Sequence, residues 1–547
     1  MTLKAEKYVI PKETADLARA IFPEGNLVMK LFDELGVIFE DEDFADLYPN
    51  DGQPALSPVR LALVTILQFR EGLTDRQAAD AVKTKIDWKY LLCLELKDQG
   101  FHHTVLSEFR SRLLTNQAEQ RLFEKILDLA KTEGLVKAGG RQRSDSTHIL
   151  GAMRAMTRLE CITETLRHTL NVLAEVVPEW LLTHTKSDWV ERYGPRASDY
   201  RLPRSESKRL AWVKQTGEDG HYLLSAVYED ETLSGFWTIP ALETLRQVWL
   251  QNFEIKDGQL SWRENTNMPP AGIYIGSPYD INARYHLKGT KGWSGYKIYL
   301  TETCNDAMPN LITNVATTNA AVSDDAVTAK IHASLAKRAL LPDLHVADTG
   351  FVNSELMVAS QQDFGINLMG PSRADNTWQG KQAKGFAAQD FRISWDEKQA
   401  ICPEGKTSLS WTPAIDKFKN HVVKIKFSVR DCGPCPSRAL CTRAKSQRRS
   451  VTVRPQAQHE ALNERRRWQQ TSDFKAEYAK RSGIEGTIAQ GTRSSDMRRS
   501  RYLGEAKTCL DHFMTATAIN LVRILNWLDE LPKSAVKPSA FQRLCAA

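Results

Sequence analysis

Between residues 294 and 351 the apolar pattern changes period repeatedly, and that order restricts the fold more than any other feature. Two runs of strand character, 294-SGYKIYLTETCND-306 and 310-NLITNVATTNA-320, precede a helix with Asp324 and Asp325 in its first turn. Ile331, Leu335 and Leu340 follow at helical spacing. A short strand, 342-PDLHVADTGF-351, then ends at Asp348. Strand, strand, helix, strand with a carboxylate at the edge is the order of a mixed α/β sheet. Upstream, 136-VKAGGRQRSDSTHI-149 reads as another strand, ending at Asp145.

The residues before this strand are helical. Ser57 followed by Pro58 is a helix start, a capping hydroxyl and then proline at the first helical position. Leu61, Val64, Leu67 and Phe69 recur at helical spacing, and Gly72 ends the helix. Thr74 or Asp75 can cap a second helix, and further helices are expected over 87–96, 104–114 and 116–135. This order has a helix-turn-helix flavour. It admits DNA contact near Arg76, Arg110 and Arg112, or simple packing of short helices.

Residues 155–265 read as mostly helical. Residues 366–455 are Gly- and Lys-rich and then β-like in 391-FRISWD-396 and 421-HVVKIKFSV-429. After Pro455 a long polar helix is expected to run to about Arg481. The segment 506–528 is expected to be an amphipathic helix, with Leu510, Phe513, Thr517, Leu521, Ile524 and Leu528 on one stripe.

These boundaries predict a helical region at 1–135 for DNA binding or assembly and the first part of an α/β core at 136–365. A helical insertion falls at about 150–270 and a β-rich, cysteine-bearing insertion at 366–455. The core closes at 456–530, and 531–547 is expected to be a flexible tail.

Composition adds a location for function. The net charge is +6, yet residues 401–510 hold 23 Lys and Arg against 10 Asp and Glu. A segment so polarised is expected to meet a polyanion. No apolar run reaches eighteen residues and no signal-type segment opens the chain. A membrane span and secretion are therefore not expected, and a cytoplasmic location is.

The stretch 478-YAKRSGIEGTIAQGTR-493 places one acid, Glu485, among Lys480, Arg481 and Arg493. A solvated salt bridge is the simple reading. The sharper one joins Glu485 to Asp145 and Asp348 as three carboxylates for hard divalent cations, which prefer oxygen ligands. Two such ions suit phosphodiester chemistry. Asp280, Asp306 and Glu355 are rival acids, and spacing does not choose between them.

In these motifs the chain resembles bacterial insertion-sequence transposases of the DDE class, which have an RNase H-like catalytic core. The stretch 57–79 is similar to the helical domain that precedes the core in one branch of these enzymes. The stretches 145-DSTHI-149 and 346-VADTGF-351 match the sites of the first and second Asp. The pattern of Tyr, two residues, Arg, three residues and Glu is met by Tyr478, Arg481 and Glu485. A basic residue belongs after six more residues. Thr492 stands there, with Arg493 one place later.

The resemblance implies that Asp145, Asp348 and Glu485 bind two magnesium (or manganese) ions. It implies that Tyr478 and Arg481, on the face of the same helix as Glu485, touch DNA near the cut. The implied reaction is cleavage at insertion-sequence ends and strand transfer into target DNA. The partners are the element's terminal inverted repeats, target DNA and a second copy of the chain or a larger assembly, in the bacterial nucleoid. A decayed, zinc-bearing DNA-binding protein and an RNase H-like nuclease without strand transfer are the alternatives.

Nine cysteines are present, and four of them, Cys402, Cys432, Cys435 and Cys441, cluster. In a large chain read as unsecreted, such a set points to structural zinc ahead of buried thiols or an iron–sulfur centre. Arg443, Arg448 and Arg449 follow it and are expected to contact the DNA backbone. Trp293, flanked by lysines, either stacks on an unpaired base or packs at the start of a strand.

Overall fold

A computed structural model of the chain describes residues 2–3, 6–198, 200–373, 375, 377–381, 385–530 and 544. The expected tail over 531–547 lies outside the described residues, save for residue 544.

The centre is a six-stranded mixed sheet. Its strands are β1 (Arg141–Leu150), β2 (Arg284–Lys288), β3 (Lys291–Thr303), β4 (Ile312–Asn319), β5 (Leu344–Ala347) and β6 (Asn367–Met369). β3 pairs antiparallel with β1 on one side, and with β2 and then β4 on the other. β1, β5 and β6 run parallel. β2 and β6 escaped the sequence reading because each is short and lacks clear alternation. β6 belongs to the central sheet and not to the cysteine-bearing insertion, so that insertion begins after it.

The strand expected within 136–149 begins later, at Arg141, and runs past Asp145 to Leu150. Asp145 is the fifth residue of β1 and does not end it. What ends there is the parallel partner, whose last paired residue is Ala347 opposite Ser144.

The N-terminal helix starts were legible. Ser57 Oγ accepts from the Arg60 amide, Pro58 opens helix α1 (Pro58–Glu71), and Gly72 closes it with left-handed backbone at φ 67°. Thr74, and not Asp75, caps α2 (Asp75–Thr84) in a reciprocal box with Gln77. Helices α3 (Thr104–Thr115) and α4 (Arg121–Thr132) follow.

These helices do not form a separate core. Phe69, Phe109 and Phe123 join Leu300, Ile312 and Phe351 of the sheet region in one contiguous cluster. Position 135 therefore marks a change of secondary structure within one packed body. Beyond the sheet lie α5 (Asp325–Lys337), α6 (Ser354–Phe364), α7 (Gln456–Trp468), α8 (Ser472–Ala479), α9 (Gly483–Ser495) and α10 (Glu505–Leu528). Helix α10 differs from the amphipathic expectation. It is buried without interruption from Leu510 to Leu521 and Leu528 is exposed, because the N-terminal helices cover the face turned away from the sheet. Asn520 fixes it to β4, donating to the Ile312 carbonyl and accepting from the Ile312 amide, both at 2.8 Å.

Two insertions have cores of their own. Helices Arg158–Val176, Glu206–Glu229 and Pro240–Asn252 pack around Leu166, Leu223, Leu245 and Trp249. The three strands Ser410–Ile415, His421–Lys426 and Ser450–Val453 pack with Phe391 and Phe427.

The long polar helix expected from Pro455 to Arg481 is broken. Thr471 caps a new helix by accepting from the Phe474 amide, and a 3-10 turn, Lys480–Ser482, separates α8 from α9. At that turn Arg143 Nη1 donates to the Lys480 carbonyl and Ser482 Oγ to the Ala479 carbonyl, so both carbonyls accept from side chains.

Candidate active site

Parallel pairing brings the first two carboxylates together. Asp145 and Asp348 each follow the last register pair, Ser144 with Ala347, so they stand side by side at one edge of the sheet. Asp145 Oδ1 accepts from the Ser146 amide at 2.8 Å and Asp348 Oδ1 from the Thr349 amide at 2.6 Å. Glu485 arrives from the first turn of α9. All three line one cleft of about 650 Å³. The rival acids do not: Asp280 is buried under the Tyr296 hydroxyl, Asp306 pairs with Lys480 and Glu355 lies in the first turn of α6.

Arg481 stands among the carboxylates. It donates to Asp145 Oδ2 at 2.7 Å and to Glu485 Oε1 at 3.2 Å. Burial pushes the Asp145 carboxyl above its usual range, opposed by the Arg481 guanidinium. Tyr478 stacks on Phe474 at 5.7 Å between ring centres. Tyr478 and Arg481 thus precede Glu485 on a helical path, but across the 3-10 turn and not within one α-helix.

A buried ion network holds this path to the sheet. Glu302, on β3, is fully buried. It accepts from Arg143 Nε at 2.7 Å, Thr487 Oγ1 at 2.6 Å and Arg523 Nη1 at 2.8 Å. Arg143 lies two residues before Asp145, and Thr487 lies two after Glu485. The network therefore spans the elements that carry both acids. Glu302 carries no distinguishing sequence signal, because the same strand run also holds Lys297 and Asp306.

Asp324 is a fourth acid in the cleft. Its Oδ1 accepts from Tyr299 at 3.1 Å and pairs with Lys297 Nζ at 3.3 Å. Gly350 makes room for it: a Cβ there would lie 2.9 Å from Asp324 Oδ2. In sequence, Asp324 is indistinguishable from a helix-start residue.

The other expected contacts are distributed. Arg493 is exposed on the last turn of α9. Arg443 is exposed and lies over the Trp378 ring at 4.1 Å. Arg448 is partly exposed. Arg449 is occupied inside the insertion, donating to the carbonyls of Cys441 at 2.9 Å and Phe386 at 3.3 Å. In the N-terminal region, Arg110 is buried against Asp75 at 2.6 Å, and Arg112 donates to the Leu47 carbonyl over the Tyr48 ring. These two serve packing, and Arg76 alone of the three is exposed. Trp293 is buried between His148 and His286, which is the packing reading.

Cys402, Cys432, Cys435 and Cys441 line one small cavity. Burial, with the other three cysteines adding to it, pushes the Cys441 thiol up to about 11. Among the described residues no group of three or more His, Cys, Asp or Glu side chains is arranged to hold a metal ion as it stands. Among those residues, too, no helix is long and apolar enough to cross a membrane.

Two family models match the chain. One, described as a transposase DDE domain, matches residues 401–525, and another, a transposase domain (DUF772), matches residues 17–112. Of the three carboxylates, Glu485 lies within the first match. No curated protein matches the chain, and no solved structure does.

Proposed function

We propose that in this chain, a DDE transposase of the insertion-sequence type with an RNase H-like core, Asp145, Asp348 and Glu485 are the three catalytic carboxylates. The observation that carries the assignment is their convergence on one cleft from β1, the end of β5 and α9. The family acts on DNA with divalent metal. Here the donors fit such ions: the three acids are all-oxygen ligands, and the cleft already holds one cation, the Arg481 guanidinium, between two of them. Two magnesium or manganese ions, when bound, lower the cost of the charge that develops on the attacking and leaving oxygens.

The chain's own residues do the rest. Asp145 and Glu485 must be released by Arg481 before they serve as ligands. Arg481 and Tyr478 then turn to a DNA phosphate near the cut, and Arg493 to one further along. Water attacks the phosphodiester and frees a 3′ hydroxyl at the element's end. That hydroxyl then attacks a target phosphodiester in the same cleft, joining to the target's 5′ phosphate as the target P–O bond breaks and releases a target 3′ hydroxyl. Positioning and electrostatics supply most of the rate. Pairing two terminal repeats calls for a homodimer or larger assembly.

In the insertion, Cys402, Cys432, Cys435 and Cys441 would hold one structural zinc. Four thiols lining one cavity match the tetrahedral donor set that structural zinc takes. Arg443 and Arg448 extend the DNA contact there, while Arg449 holds the cysteine-bearing loops.

The test is product analysis on labelled DNA carrying the element's own ends, with magnesium and with EDTA. Magnesium-dependent nicks bearing 3′ hydroxyls, followed by joined products, are expected. Binding without nicks would return the chain to a non-catalytic DNA-binding role, and nicks without joining to a nuclease.

A further inference from the structure

One wall of the catalytic cleft carries positive charge that the protein does not neutralise. β2 and β3 form a hairpin with a two-residue turn at Gly289 and Thr290, and Gly289 takes the left-handed backbone at φ 63° that such a turn needs. The register places Lys288 directly opposite Lys291. Like charges facing each other across an antiparallel pair destabilise it. Both lysines are exposed.

A third cation joins them from another part of the chain. Residues 498–500 dock beside the end of β1, with the Leu150 amide donating to the Arg498 carbonyl at 2.8 Å and the Ser500 amide to the Leu150 carbonyl at 2.9 Å. This fixes the Arg498 backbone while its side chain stays exposed. Arg498 and Lys288 line the same cleft as the carboxylates. Arg498, Lys288 and Lys291 all lie near enough to His148 to disfavour its protonation, after the larger effect of burial.

Other cations around this cleft have partners. Lys297 pairs with Asp324, Arg481 with Asp145 and Lys480 with Glu477. Among the described residues, no carboxylate pairs with Lys288, Lys291 or Arg498. Three cations gathered at an energetic cost beside a phosphodiester-cutting centre need an external polyanion.

We propose that Lys288, Lys291 and Arg498 form a phosphate-binding wall that carries the DNA backbone away from the scissile phosphate, over the β2–β3 hairpin. The contact is to backbone charge and not to base edges, since lysine and arginine on an exposed hairpin tip neutralise phosphates regardless of sequence. Trp293, locked between His148 and His286, stiffens the hairpin that presents them. The inference rests on the proposed reading of the cleft, but its test does not depend on cleavage.

The test is binding of a duplex of about 40 base pairs and arbitrary sequence to the full chain, followed by anisotropy across a salt series with EDTA present. The variant is Lys288→Ala/Lys291→Ala/Arg498→Ala. Each phosphate contact contributes about 0.9 to the slope of log affinity against log salt. The triple variant should lower that slope by roughly 2 to 3 and weaken binding on the order of a hundredfold at low salt. Lys288→Arg/Lys291→Arg should bind like wild type. A control with equal charge loss on the helical insertion, Lys208→Ala/Lys214→Ala/Lys256→Ala, should change the slope little. An unchanged slope and affinity in the first variant would overturn the wall, as would an equal loss in the control. Failure of Asp348→Asn to abolish nicking, with the wall variant still defective in binding, would instead overturn the carboxylate assignment alone.

Discussion

Arg481 Nη2 donates to Asp145 Oδ2 over 2.7 Å, joining two residues 336 positions apart in the chain. The same guanidinium reaches Glu485 at 3.2 Å. An internal cation thus stands where the proposal requires metal ions, and it competes with them.

Arg481→Ala should therefore tighten manganese binding by the DNA-free protein, because two carboxylates lose their built-in counter-charge. It should also slow DNA cleavage by about 10² to 10³-fold, since the donor proposed for the reacting phosphate is lost. Calorimetric titration of manganese and single-turnover cleavage measure the two effects. A variant with weaker metal binding and normal cleavage would contradict the competition.

Glu302 should be among the most costly positions to change. Glu302→Ala leaves Arg143 and Arg523 as buried or half-buried cations without their carboxylate. Breaking such a pair costs about 3–5 kcal/mol. Urea unfolding of the variant should show a loss of that size. Glu302→Gln, which retains hydrogen bonding to Thr487, should lose less.

The sheet also carries a pH dependence below the active site. His345, on β5 itself, hydrogen-bonds Ser144 Oγ of β1 at 2.6 Å and His332 of α5 at 2.8 Å. Burial pushes His332 down to about 4 and His345 well below its ordinary value. An unfolded histidine takes a proton near pH 6.5. The folded state refuses it until lower pH, so stability is intact above about 6.5 and falls as pH drops below it. Each histidine contributes up to roughly 1.4 kcal/mol per pH unit. The urea midpoint should fall between pH 6.5 and 5, and His332→Gln should flatten that slope.

Zinc content tests the cysteine cluster. Purified protein should carry one zinc per chain by elemental analysis. Cys432→Ser/Cys435→Ser should lose it and expose the segment 386–453 to protease, while the catalytic sheet stays folded. Wild-type protein free of zinc and equally resistant to protease would sink the assignment.

Much of this organisation could be read from residue order alone. Ser57–Pro58 and Gly72 set the ends of α1 because capping and left-handed backbone are local chemistry. Asp348 was visible as an acid at the end of a strand, whereas Asp145, read the same way, lies mid-strand because β1 runs on to Leu150. Their adjacency was not visible, since it depends on a parallel register between residues about two hundred positions apart. Helix α10 was misread as amphipathic because burial of its second face depends on the N-terminal helices. At Arg110 and Arg112 the sequence leaves DNA contact and packing both open, and only tertiary structure decides for packing, with Asp75 and the Leu47 carbonyl engaging them. Asp324 and Glu302 left no usable pattern, as a helix-start acid and a mid-strand acid each have ordinary structural explanations.

Asp145, Asp348 and Glu485 are proposed to form one metal-dependent centre. Its most direct test compares wild type, Asp145→Asn, Asp348→Asn and Glu485→Gln in one experiment, measuring DNA binding and magnesium-dependent nicking on the same samples. All three variants should bind the DNA as wild type does and nick it no faster than the EDTA control. Magnesium-dependent nicking that survives in any one of them would remove that residue from the centre and contradict the account.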